Sequence, residues 1–166
     1  MWSKYSELLQ RRHKELFATP ECDNGWFEII DRLMCDIEAS LTDIGLKKEQ
    51  WPKTVQIKEK FGTLRYYIDS VRSDKSIAYE GSGGMISFRP ISDLHGVREL
   101  ISNAETKSAH VCERCGGEGV LVKFGWSHTY CADCESWYNS RTDYDKYDGV
   151  SIAYAESLMD KTVSEE

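Results

Sequence analysis

Apolar residues follow two rhythms along this chain, and the change between them divides it. Tyr5, Leu8, Leu9, Leu16 and Phe17 recur at helical spacing with Lys and Arg between them. That predicts an amphipathic helix over 2–17, ended by Thr19-Pro20. Asp23-Asn24-Gly25 then predicts a cap for a longer helix over 25–44. Its stripe is Trp26, Ile30, Leu33, Ile37, Leu41 and Ile44, widened by Phe27 and Met34, and Gly45 stands where a helix end favours glycine. Past Pro52 the rhythm becomes alternation, so residues 54–69 read as a hairpin turning near Phe61-Gly62. Val55, Ile57, Leu64, Tyr66 and Ile68 share the parity that meets the helices. The opposite parity carries Gln56, Lys58, Lys60, Arg65 and Tyr67, three cations and a phenol on one exposed face.

Residues 70–84 read as a connection with a short strand near Ile77–Tyr79. Its Gly81-Ser82-Gly83-Gly84 lacks the Lys-Ser/Thr continuation of a phosphate loop. Met85–Arg89 is a further strand closed by Pro90. Ser92 caps a helix over 93–108, with Leu94, Val97, Leu100, Ile101 and Ala104 inward. Short helices over 132–139, burying Trp137 and Tyr138, and over 150–160, with Ile152, Ala155, Leu158 and Met159, complete the reading. The expected fold is α+β: helices packed on a small antiparallel sheet in a body over 1–108, a metal module over 109–140, and an acidic tail over 141–166.

The tail sharpens the charge picture. The net charge is −7, and residues 142–166 alone contribute −5. Broad duplex-DNA binding draws on phosphate neutralisation and does not suit such a chain, although a local basic site does. No apolar run approaches the roughly 20 residues of a membrane span. The first residues lack the apolar stretch of a signal peptide, so a cytoplasmic, reducing setting is expected.

Cysteine spacing carries the clearest chemistry. Cys112-x2-Cys115 and Cys131-x2-Cys134 form the pattern of a four-thiolate zinc site, with Gly116 where the backbone bends under the metal. Four thiolates close a tetrahedral Zn²⁺ shell and leave no place for water, which makes the site structural. A knuckle, a ribbon and a helix opened by the second pair describe treble-clef geometry. Cys22 and Cys35 are left as free thiols.

Gly25-Trp26-Phe27, then Gln56-x-Lys58-Glu59-Lys60-Phe61-Gly62-x-Leu64-Arg65-x-Tyr67, Ala104-Glu105 with Ser108, and the two cysteine pairs with Trp126 and Thr129 form an ordered set. In that order they resemble a family of small zinc-binding proteins of bacteriophage and prophage genomes, for which no activity is established. The resemblance spans about residues 25–134 and implies a zinc and a bacterial host cell. The segment around 72–92 and the acidic extension depart from it.

Three functions compete. The first is a non-enzymatic accessory protein that binds an anionic ligand, such as a nucleotide signal, or a host protein, to counter host defence. Lys58, Lys60 and Arg65 would pair with the anion, Tyr67 would stack or donate, and Trp26, otherwise a core residue, would add stacking surface. The second is a nucleic-acid-binding regulator using the metal module, whose residues 112–134 carry a net −1 rather than a basic face. The third is a treble-clef-type nuclease built on His128, which needs a further His or Asn on the helix after the second cysteine pair; Asn139 is present there, but no histidine follows. No catalytic residue and no oligomeric state is assigned.

Overall fold

A computed structural model describes residues 4–69, 76–80, 86–90, 96–124, 126–140, 154, 157 and 158. Ser92, Leu94, Ile152, Ala155, Met159 and the 81–84 glycine segment fall outside these residues. The described elements run α1 (Lys4–Arg12), β1 (Pro20–Glu21), α2 (Phe27–Asp43), β2 (Thr54–Lys60), β3 (Thr63–Ile68), β4 (Ser76–Glu80), β5 (Ile86–Pro90), α3 (Val97–Ser108), β6 (Val120–Phe124), β7 (Trp126–Tyr130) and α4 (Ala132–Ser140).

The first helix is shorter than its periodicity suggests. It ends at Arg12 because His13 turns inward, and a tight turn then carries Leu16 into the core. A single 3-10 turn over Asn24–Trp26 precedes α2, and the Asp23 side chain caps neither. At the far end Gly45 has φ 77°, a left-handed conformation that glycine adopts without a Cβ clash. The stripe of α2 is buried up to Leu41: Ile30, Leu33, Met34, Ile37 and Leu41 join Leu8, Leu9, Ile57, Leu64 and Val97 in one core, while Ile44 lies past the helix end and is half-buried.

The hairpin forms where the alternation places it. Gln56 faces Tyr67, Ile57 faces Tyr66, Lys58 faces Arg65, Glu59 faces Leu64 and Lys60 faces Thr63. Phe61 and Gly62 both take positive φ (56° and 79°), which suits the right-handed twist of the strands. Val55 corrects the parity reading. A register shift between Thr54 and Gln56 turns it outward, 65% exposed. The sheet is also not purely antiparallel, because β1 adds two residues in parallel beside β2. β4 and β5 pair with each other in a separate two-stranded sheet rather than extending the first.

The outer edge of β3 is closed by side chains of α3. Ser108 Oγ accepts from the Leu64 amide (2.8 Å) and donates to the Glu105 carbonyl (2.6 Å). Glu105 Oε1 accepts from the Tyr66 amide at 3.1 Å. These bonds satisfy amides that an edge strand would otherwise leave open. α3 begins at Val97 behind Gly96, later than the pattern over 93–108 implies, with Val97 and Ala104 buried and Leu100 and Ile101 half-buried. No helix among the described residues is long and apolar enough to cross a membrane.

Candidate metal centre and basic hairpin face

Two turns of backbone bring four sulfurs together. The Gly116 amide donates to the Cys112 carbonyl at 2.9 Å, and Gly116 takes φ 80°, so the chain folds back within one knuckle. The β6–β7 ribbon then carries the chain around to Cys131, and Cys134 sits in the first turn of α4. The thiol sulfurs of Cys112, Cys115, Cys131 and Cys134 all lie within 4.8 Å of one another, a cluster able to hold a metal ion. Cys112, Cys115 and Cys134 are buried. Burial first, and then the neighbouring thiols, push Cys115 up to about 11 and raise Cys134 as well. Burial opposes ionisation of Cys131 too, but the Cys134 amide and the adjacent thiols donate to its sulfur and lower it. Such a cluster cannot ionise fully without a cation, and a divalent ion supplies that charge.

The knuckle is bolted to the body by residues far away in sequence. The Gly25 amide donates to the Glu113 carbonyl (2.7 Å), and the Trp26 indole donates to the Val111 carbonyl (2.8 Å). Thr129 Oγ1 donates to the Gly62 carbonyl at 2.5 Å, and Glu59 accepts from the Gly62 amide at 2.6 Å. A Cβ on Gly25 would stand 2.3 Å from the Cys112 carbonyl oxygen, which is backbone and cannot swing away. Gly25→Ala is therefore expected to cost about 1–3 kcal/mol, the range for overpacking, and to weaken metal retention. Urea denaturation with a metal-release assay checks this; an unchanged midpoint would show that the knuckle is not seated there.

Glu113 and His128 form a second small group behind the cysteines. Glu113 is buried, and burial, with Asp23 and Glu59 adding like charge, pushes it up to about 8. His128 Nδ1 lies 3.3 Å from its Oε2, and the imidazole stacks flat on Tyr130 at 5.0 Å. Trp137 and Tyr138, expected to be buried, are half-buried, with the Arg114 guanidinium lying over Trp137.

The outward face of the hairpin holds the basic residues together. Lys58 Nζ lies 5.6 Å from the Tyr67 ring centre, and Lys60 Nζ lies 5.4 Å from that of Phe61. Two acids temper the charge. Arg65 Nη1 pairs with Glu105 Oε2 at 3.4 Å, and Glu21 stands beside Lys58 while accepting from Gln56 at 3.0 Å. Neither partner is visible in the hairpin's own sequence. Trp26 does not join this face. It is wholly buried, which leaves no surface for a ligand to stack on. Sequence reading missed Phe61 and Leu121, which lie beside Gly62 and are 70% and 48% exposed. The turn position of Phe61 was the available signal.

A third cluster involves His13, Asp31 and Cys35, whose donor atoms also lie within 4.8 Å of one another. Here the Arg12 guanidinium already occupies the acceptor, 2.7 Å from Asp31 Oδ1 and 3.7 Å from Cys35 Sγ. No protein-family model, curated protein or solved structure matches this chain.

Proposed function

We propose that this chain is a non-enzymatic binding protein with a structural Zn²⁺, presenting the hairpin face to an anionic partner. Four thiolates at this spacing suit zinc, and a complete tetrahedral shell leaves no open position for chemistry. The knuckle, the β6–β7 ribbon and α4 with Cys134 support a treble-clef reading of the module. The observation that carries the binding role is the outward pairing of Lys58 with Tyr67 and of Lys60 with Phe61. Charge and aromatic surface are combined there, in a chain of net charge −7. Lys groups pair with phosphate or carboxylate while the phenol stacks or donates.

The partner is a nucleotide signal or a host protein, and the phage setting implied by the resemblance makes interference with host defence the reading for either. The exposed Phe61 and Leu121 favour the protein, because a small nucleotide does not need a second apolar anchor at the hairpin tip. Nuclease chemistry is the weaker reading. His128 is engaged by Glu113 and stacked on Tyr130, and α4 offers Asn139 but no histidine beside them.

Lys58→Glu with Lys60→Glu is the decisive variant. Arg65 is left alone, since a glutamate there would face Glu105 and disturb the edge of β3. Each charge-assisted hydrogen bond contributes about 1.5–3 kcal/mol, so losing two should weaken binding at least about 100-fold with fold and metal intact. Calorimetry against cyclic and linear nucleotides, followed by a host-lysate pull-down, separates the two partners. Full binding by the double variant would reduce this face to a solvated sheet surface.

A further inference from the structure

Asp31 lies in α2 with 0% exposure, and four donor atoms from both ends of the chain converge on it. Arg12 Nε and Nη2 reach it at 2.7 Å and 3.2 Å, and His13 Nε2 at 3.0 Å. Tyr154 Oη donates to Oδ2 at 2.9 Å. Arg12 and His13 belong to the end of α1. Tyr154 lies near the C-terminus, where Leu158 is buried in the main core and Tyr154 packs against that same core. A ring chain runs parallel to the polar one. Tyr5 of α1 packs on Phe27 at 5.4 Å, and Phe27 packs edge-on to Tyr154 at 6.1 Å. The Arg32 guanidinium covers the outer face of Tyr154, 5.5 Å from its centre.

We propose that α1 and the C-terminal segment are energetically coupled through Asp31 and Phe27, so that displacing one end loosens the other. A buried carboxylate shared by three partners fixes the geometry of each through the others. Remove Tyr154, and Asp31 loses a donor while water gains a path to Arg12 and His13. Remove Arg12, and the carboxylate that anchors Tyr154 loses its fixed position. Coupling of this kind is reciprocal. A partner that captures the C-terminal segment would therefore act on α1, while the hairpin face and the metal centre, which share no contact with Asp31 among the bonds above, would be spared.

Hydrogen exchange on the full, metal-loaded chain tests the coupling. Tyr154→Phe keeps the ring and deletes only the donor. It should speed exchange of the 4–12 amides about tenfold, the size expected for one hydrogen bond to a charged group, under native conditions in which peptides over 57–66 and 112–134 stay protected. Arg12→Gln should raise exchange around 154–158 in return. Unchanged α1 exchange in Tyr154→Phe overturns the proposal. So does an equal rise in every peptide, which marks a global loss of stability, and so does an effect seen in one direction only.

Discussion

Cys115→Ser is expected to release the metal and to unfold the knuckle, with the damage spreading into the body. Structural zinc contributes about 10–16 kcal/mol of apparent binding free energy in small metal modules, comparable to the roughly 5–15 kcal/mol that stabilises a whole domain. Three thiols cannot close the tetrahedral shell, and the Cys134 thiol, which burial holds in its neutral form, then lacks the cation that would offset this. The spread follows from the docking bonds. Gly25 and Trp26 hold the carbonyls of Glu113 and Val111, and Gly62 is held by Thr129. A loosened module therefore frees the start of α2 and the tip of the hairpin. Metal content by plasma mass spectrometry should fall from one ion per chain to near zero. Emission from the buried Trp26 should shift to the red, as its indole loses Val111 and meets water. Cys35→Ser is the control, an exposed cysteine outside the four-cysteine cluster, and should retain the ion. Retention of the metal by Cys115→Ser, or a metal-free protein with the same thermal transition and emission, would sink the structural role.

Local signals made much of this molecule legible. The four cysteines were readable because ligand spacing is fixed by the reach of a knuckle, which needs no long-range information. The helix stripes and the hairpin turn were readable for the same reason, since period and turn chemistry act within a few residues. What escaped was everything set across distance. Val55 turns outward because of a bulge that its own alternation does not announce. Arg65 looked free in the hairpin, yet its charge is met by Glu105, 40 residues away. Trp26 had the chemistry of a stacking platform but was committed to the knuckle by a bond to Val111, 85 residues on. Glu105 and Ser108 stood out in the sequence without a role, and the structure supplies one as the closure of β3. Asp31 gave no signal, because a single acid in an amphipathic helix reads as solvated until its donors arrive from both ends of the chain.

That hidden carboxylate should dominate both stability and its pH dependence. Asp31→Ala strips the acceptor from Arg12 and His13 and leaves a buried imidazole beside Glu38, whose Oε1 lies 3.3 Å from Nδ1, off the line of a good hydrogen bond. Removing one partner of a buried charged group costs about 3–5 kcal/mol, a large share of the total for a domain. The pH profile then identifies the cause. Burial pushes Asp31 upward, but the His13 and Arg12 donors outweigh it and hold the carboxyl below its ordinary 3.8. Its contribution is present above 3.8 and fades as pH falls through the lower folded value. Burial pulls His13 downward, but Asp31 and Glu38 outweigh it and hold the imidazole above 6.5. That contribution is complete below 6.5 and fades as pH rises through the higher folded value. The cluster thus stabilises the fold most between about 4 and 6.5, the window that the two ordinary values bracket. Urea midpoints measured from pH 3 to 9 should trace a dome for the wild-type chain. Asp31→Ala should lie below it throughout, with the acid shoulder lost and the alkaline shoulder flattened, because only Glu38 then favours the charged imidazole. A variant curve parallel to the wild type at every pH would place the titrating groups elsewhere and leave Asp31 as a packing residue alone.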